Sequence, residues 1–424
     1  MRAPLNRRVY VVGYGAVTPL GLSFGETWER AVRGEAGFRR LSRCAADTQC
    51  NVVGEIPDWD PDALDFSNAR ENHYWNAGFV LLTMKACRDA LADAGLEMDE
   101  ETAPRTACLV GSSLNGHDAF RVAMLRLAEG RPLQISPHLL PNLCGNVPAG
   151  KAGMLLGFTG PIFSPQGACA SGNYALGVGA RMIRDGDCDF VLAGGVDTPL
   201  VPEIVHGFDN MNATIKIRPG DRAEADPGQA SRPFSRDRRG FVLSEGAGVL
   251  VLAAEDALAR YRLEPRAEIL GVGWSSDAFH ATRPNRPTIV RAIRECLADA
   301  GVDPREVGLI NTHGTSTPRG DANEIACLRE VFGEHLPGIP IVSNKSQIGH
   351  TLGAAAAIEG ALSIESMRRG ILLPTINLLP DPEFAGLDLV PDSGRRQAVN
   401  AALSNAFGFG GTNACILFGR AGKA

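Results

Sequence analysis

The sequence predicts an α/β protein made of two similar halves, on three observations. The string LADAG occurs at 91–95 and again at 297–301, each time closing a helix-like stretch. A second echo runs in the same order, from PIFSPQGACASG at 161–172 to PIVSNKSQIGH at 340–350, and each passes from a β-like stretch through a tight turn into a small-residue helix. The composition, 44% hydrophobic and 21% charged over 424 residues, is that of an ordinary globular chain with a large core. We read halves of 1–260 and 261–424, strands alternating with helices, related by a pseudo-twofold axis that brings helix starts together near the centre.

Taken in order, Val9–Val12 is an apolar stretch that soon meets Gly13 and Gly15, too short for a signal peptide and readable as a first strand. Gly95 stands where a helix C-cap belongs, and ACLVGSS at 107–113 follows as a strand. Cys169 lies in GACASGNYALG, between a strand and a helix. Residues 214–232 are polar and rich in Gly and Pro and are expected to form a solvated surface loop. Val249–Ala254 reads as a buried strand. In the second half Gly301 repeats the C-cap and VGLINTHG at 307–314 repeats the strand. TLGAAAAIEGALSI then repeats the small-residue helix, and SNAFGFGGTNACILF at 404–418 is a glycine turn entering a strand.

Composition excludes several function classes. The net charge of −6 argues against a nucleic-acid binder, which needs a basic surface. No apolar run approaches the ~18 residues of a membrane span. The ten cysteines are scattered, with no C-x-x-C pair and no clustered Cys/His ligand set, which suggests reduced thiols in a cytoplasmic enzyme with no metal.

Three places carry candidate chemistry. A thiol at a helix start faces unpaired N–H groups and the positive dipole end, both favouring thiolate. That effect, ~0.3–1 kcal/mol, is less than one pKa unit, so a basic partner has to complete the activation. His313 and His350, both in strand-to-helix turns, are the candidates; His73, His117, His138, His206, His280 and His335 are read as ordinary structural or surface residues. Gly408, Gly410 and Gly411 form a turn that lacks the pattern of a phosphate loop. It is either a plain hairpin or a backbone oxyanion hole.

The motifs ACASG, HGTSTPRGD, NKSQIGH and SNAFGFGGTN together resemble the elongating β-ketoacyl-acyl-carrier-protein synthases of type II fatty-acid and polyketide synthesis, nearly end to end. The resemblance implies a thiolase-like fold, its two halves layered αβαβα. It implies an acyltransferase that joins an acyl chain held on Cys169 to malonyl-acyl-carrier protein with loss of carbon dioxide. His313 and His350 then polarise the malonyl thioester, and the N–H groups of Cys169 and Phe409 hold the oxyanion. Lys345 and Glu359 form a buried ion pair, and Thr315 and Thr317 support the site. Phe407, Gly408, Phe409, Gly410 and Gly411 form a gate loop, and Leu114, Leu139, Leu140, Ile204 and Phe208 shape the acyl pocket. No cofactor is implied beyond the phosphopantetheine of the acyl carrier protein. A homodimer is expected, with a heterodimer containing a paralogous subunit as the other arrangement. The alternative activities are a non-elongating acyltransferase and a chain-length-shaping partner subunit, which Cys169 disfavours.

Two departures from the family pattern stand out. Only Arg70 in 67–76 and Arg131 in 129–137 are basic where such enzymes meet an acidic carrier; Arg39, Arg40, Lys216, Arg218 and Arg222 are the other candidates. Ile204 stands where glycine is common beside the acyl tunnel, which shortens or redirects the pocket and points to a specialised pathway.

Overall fold

The computed structural model describes residues 7–42, 48, 50–58 and 76–422. Its first five main strands are β1 (Val9–Val17), β2 (Thr106–Gly111), β3 (Ile162–Phe163), β4 (Phe190–Asp197) and β5 (Gly246–Ala254). The next five are β6 (Ala267–Ser276), β7 (Leu309–Asn311), β8 (Ile341–Val342), β9 (Ala401–Gly408) and β10 (Thr412–Arg420). They form one sheet in the order β8-β7-β9-β10-β6-β1-β5-β4-β2-β3.

Read from each edge inward, β3-β2-β4-β5-β1 and β8-β7-β9-β10-β6 are the same order. The directions repeat as well. β2 is parallel to β3 and β4, as β7 is to β8 and β9. β5 is antiparallel to β4 and β1, as β10 is to β9 and β6. The halves join where β1 meets β6 through Tyr10–Glu268 and Val11–Ala267.

β1, β2, β4 and β5 are buried along their whole length, so they are Val-, Leu-, Ala- and Gly-rich with no polar alternation. Their cover is helical. α1 (Gly78–Ala94) packs on β1, β4 and β5, while α3 (Arg286–Ala300) packs on β6 and β10 with α4 (Pro318–Phe332) against it. α2 (Ser171–Asp185) and α5 (Ala355–Arg369) lie between the sheet halves, each against strands of both. The result is the αβαβα layering. α1 and α3 carry the LADAG copies, and both stop at a glycine with φ 64° and ψ 26°, the left-handed cap only glycine adopts without strain. The starts of α2 and α5 abut at the centre: a Cβ on Gly172 would lie 2.8 Å from the Ala357 nitrogen.

The expectation for 214–232 needs correcting. Only 218–220 and 224–226 are exposed. Ile215, Ala223 and Ala230 pack with Phe38, Val52 and Val242. The Arg232 side chain is wholly buried, and its guanidinium donates to both oxygens of Asp221 at 3.2 and 2.8 Å. A buried arginine is tolerable only with such a matched carboxylate, and that pairing is invisible in local composition.

Candidate active site

Cys169 sits in the turn that feeds α2. Ala168 holds a left-handed φ of 49°, a strained setting for a residue with a Cβ. Ser171 ties the turn, its hydroxyl accepting from the Gly167 N–H at 3.0 Å and donating to the Ala168 carbonyl at 2.7 Å. The turn presents Cys169 to a pocket of about 520 Å³ that His313 and His350 also line.

His313 follows β7. Its own N–H and that of Gly314 donate to the Glu324 carboxylate at 2.9 and 2.8 Å, and the Asn405 side chain donates to the same group at 3.2 Å. His350 is held through its backbone, its N–H donating to the Val242 carbonyl at 2.8 Å. Its Nε2 lies 3.2 Å from the Cys169 sulfur. The two imidazoles meet edge to face with centroids 5.3 Å apart, Phe241 packs on His350 at 5.2 Å and Phe407 on His313 at 5.7 Å.

The electrostatics keep the two imidazoles and the thiol uncharged at rest. Burial pushes both histidines well below their usual range, and the Lys345 charge pushes the same way. Lys345 Nζ donates to Glu359 at 2.6 Å, with both side chains 1% exposed. Burial raises the Glu359 carboxyl to about 7, against the downward pull of Lys345. The Cys169 thiol is pushed up to about 12 by burial and the nearby Asp197 charge. Lys345 and the N–H groups of Phe409 and Cys169 draw it back only partly. The helix start therefore does not make a resting thiolate, because desolvating an anion costs more than the helix end returns.

The glycine turn reaches the Cys169 turn. Thr412 Oγ1 donates to the Gly167 carbonyl at 2.7 Å, and a Cβ on Gly408 would lie 2.3 Å from that same oxygen. Gly408 and Thr412 pair across the hairpin, leaving Phe409, Gly410 and Gly411 at its tip. Phe409 stands 6.3 Å from Phe208, ring to ring. Thr315 and Thr317 line the pocket with their hydroxyls 3.0 Å apart, and Thr317 also caps α4.

Leu114, Ile204 and Phe208 pack on the apolar cluster that includes Cys169, Leu200 and Phe241. Leu139 and Leu140 do not: they lie on the short helix Leu139–Leu143, and Leu140 is 72% exposed. Arg70 lies outside the described residues. Among the other basic candidates, Arg131 pairs with Glu129, Lys216 with Asp209 and Arg222 with Asp237. Arg39 lies 4.0 Å from Glu55, and Arg40 donates to Asn51 and to the Glu224 carbonyl. For Arg218 no partner is found among the described residues.

Sequence reasoning missed Glu324, Asp197 and Phe241. Asp197 is fully buried and accepts from Ser112 Oγ and from the N–H groups of Ser113, Leu114 and Gly353, which clamps the turn before Leu114 to the turn after His350. Nothing local marks the two carboxylates, since Asp and Glu in such segments ordinarily face water, and Phe241 reads as one more apolar residue.

The chain matches the sequence model described as Beta-ketoacyl synthase, N-terminal domain, over residues 6–257, and that described as Beta-ketoacyl synthase, C-terminal domain, over 266–379. It is 34% identical to 3-oxoacyl-[acyl-carrier-protein] synthase 2 of Coxiella burnetii (strain RSA 493 / Nine Mile phase I), over 98% of this chain and 99% of that protein. The ishigamide ketosynthase/chain length factor superposes with a TM-score of 0.87 at 30% identity, covering 98% of this chain and all (100%) of that one. A type II polyketide acyl-carrier protein in complex with its ketosynthase bound to the hexaketide gives 0.89 at 27%, covering 99% and 100%.

Proposed function

The chain belongs to the β-ketoacyl synthase family and has its thiolase-like fold, and from that premise we propose how its residues carry out the reaction. It is an acyltransferase, a 3-oxoacyl-acyl-carrier-protein synthase, catalysing the decarboxylative Claisen condensation of an acyl chain with malonyl-acyl-carrier protein. The observation that carries the residue assignment is the 3.2 Å contact between His350 Nε2 and the Cys169 sulfur, with His313 edge to face against His350 in the same pocket.

In the first half-reaction the Cys169 sulfur adds to the acyl thioester of the carrier. The phosphopantetheine sulfur leaves, and the thiol proton ends on it. In the second, malonyl thioester binds and its C–CO₂ bond breaks. Carbon dioxide departs and the electron pair stays on the α-carbon as an enolate, whose oxygen accepts from His313 and His350. That carbon attacks the acyl carbonyl, and the N–H groups of Cys169 and Phe409 hold the oxyanion. Collapse expels the Cys169 thiolate, which regains a proton from solvent, and releases a 3-oxoacyl chain two carbons longer. The only prosthetic group in this scheme is the carrier's phosphopantetheine. Lys345 keeps both imidazoles neutral, Glu359 balances Lys345, and Thr315 and Thr317 line the approach.

Phe407 to Gly411 form the gate over Cys169, opening as Phe409 leaves Phe208. Leu114, Ile204 and Phe208 bound the acyl pocket, and Ile204 restricts it, which favours a specialised acyl chain. A division near residue 260 gives the N-terminal half the nucleophile and the C-terminal half both histidines and the gate; the repeated strand order supports it.

The enzyme works as a homodimer. Phe120, Leu133, Leu140, Met154 and Phe163 are all exposed, and Phe163 belongs to the edge strand β3; exposed apolar side chains and an open sheet edge favour a partner surface. Leu139 and Leu140 join the tunnel through that contact. Among the described residues no helix is long and apolar enough to cross a membrane. We assign the enzyme to the cytoplasm, where carrier-borne substrates are made.

Intact-protein mass spectrometry after mixing the enzyme with acyl-carrier proteins of graded chain length tests the assignment. A covalent acyl adduct on the native enzyme, absent from Cys169→Ala, is expected. An adduct that persists in Cys169→Ala would overturn it.

A further inference from the structure

The mouth of the pocket has a charge pattern that the condensation chemistry leaves unused. The carboxylates in its wall, Asp277 and Glu324, are both buried and engaged: Asp277 accepts from Asn413 and Asn285, Glu324 from two backbone N–H groups. The exposed part of the wall carries no carboxylate. It carries Arg283 and Arg319, both exposed, and neither has an ion-pair or hydrogen-bond partner among the described residues. Arg239, also in the wall, is tied to Asp221.

Arg319 is the second residue of α4, in the turn where the helix dipole is positive. A cation there is unfavourable for the helix itself, so helix stability does not explain it. The same place is favourable for an anion, which meets the helix end and the guanidinium together. Arg283, in the same wall, follows His280, Ala281 and Thr282 in an exposed run. This cationic rim stands on a chain with a net charge of −6, so it is a local device.

We infer that Arg283 and Arg319 bind the phosphodiester of a phosphopantetheine arm whose thioester lies at Cys169, and that they select phosphorylated pantetheine thioesters. The inference rests on the proposed function and goes beyond it by giving recognition of the arm to two arginines outside the catalytic group. Guanidinium groups pair with phosphate oxygens through parallel N–H donors, a geometry lysine cannot match.

The test measures the rate of Cys169 acylation by acyl-pantetheine, acyl-phosphopantetheine, acyl-coenzyme A and acyl-carrier protein. The native enzyme is compared with Arg283→Ser, Arg319→Ala and the double variant. Native enzyme is expected to prefer acyl-phosphopantetheine to acyl-pantetheine, and each single variant to lose roughly tenfold of that preference. Coenzyme A, with its further phosphates, and the carrier protein should show a loss of the same size. A loss confined to the carrier protein would place the arginines against protein and overturn the inference, as would equal native rates with and without phosphate. Both outcomes leave the condensing activity standing. Native enzyme acylated by none of the four would instead overturn the functional reading, and this inference with it.

Discussion

His350 Nε2 lies 3.2 Å from the Cys169 sulfur, while Nδ1 of the same ring is buried without a hydrogen-bond partner among the described residues. A neutral imidazole has one N–H, and a buried orphan donor costs about 1–3 kcal/mol. The proton is therefore better placed on Nε2, facing the reacting atoms. The Nε2 proton then points toward Cys169, and His313, also held below the usual imidazole range by burial, sits at right angles beside it.

Replacing His350 or His313 by Ala is expected to slow carbon dioxide release from malonyl thioester about 10²–10³-fold each, the usual cost of one donor to a developing oxyanion. Acyl loading of Cys169 should be far less affected. Equal losses in both half-reactions would show that the histidines serve the thiol instead.

The Cys169 thiol, pushed up to about 12, predicts slow alkylation at neutral pH. Its rate with iodoacetamide should climb about tenfold per pH unit from pH 7 to 10, following the thiolate fraction. A plateau near pH 8 would contradict a neutral resting thiol.

Lys345 lowers both histidine pKa values, so removing its charge favours the imidazolium. In Lys345→Met the acid limb of the decarboxylation pH profile is expected to move to higher pH. An unmoved limb accompanied only by lower stability would reduce Lys345 to a structural partner of Glu359.

A Cβ on Gly408 would lie 2.3 Å from the Gly167 carbonyl and 3.2 Å from the Cys169 nitrogen. In Gly408→Ala the hairpin has to withdraw, and a displacement near 1 Å costs about a hundredfold in condensation. Full activity in this variant would mean that the turn plays no part in holding the oxyanion. For the pocket, Ile204→Gly should lengthen the longest acyl adduct seen by mass spectrometry, and an unchanged cutoff would place the limit elsewhere.

Asp321 is raised to about 7, chiefly by burial. Its folded pKa exceeds the unfolded one, so its stabilising share is full below about 4 and is lost as pH rises through about 7. Asp321→Asn removes that loss while keeping the oxygen that accepts from the Phe234 N–H at 2.9 Å. The melting temperature of the variant relative to native should be higher at pH 8 than at pH 5; the reverse slope would refute the buried, raised carboxyl.

The sequence by itself determined the two-half α/β plan and the chemistry-bearing turns. LADAG with its capping glycine is a local instruction that ends α1 and α3 in the same way, because only glycine takes that left-handed cap without strain. Cys169, His313, His350 and the glycine hairpin stood out by their place in turns, and only the four motifs taken together, through the family they resemble, gave them roles. Tertiary structure decided everything that depends on what a side chain meets across the fold. Asp197, Glu324 and Arg232 look like solvated charges along the chain, yet each is buried, because the fold turns partners onto it: Asp221 onto Arg232, the N–H groups of His313 and Gly314 onto Glu324, and that of Gly353 onto Asp197. The Cys169 titration was decided there too. The helix start is local and favours thiolate, whereas the desolvation that overrides it exists only once both halves have closed around the sulfur.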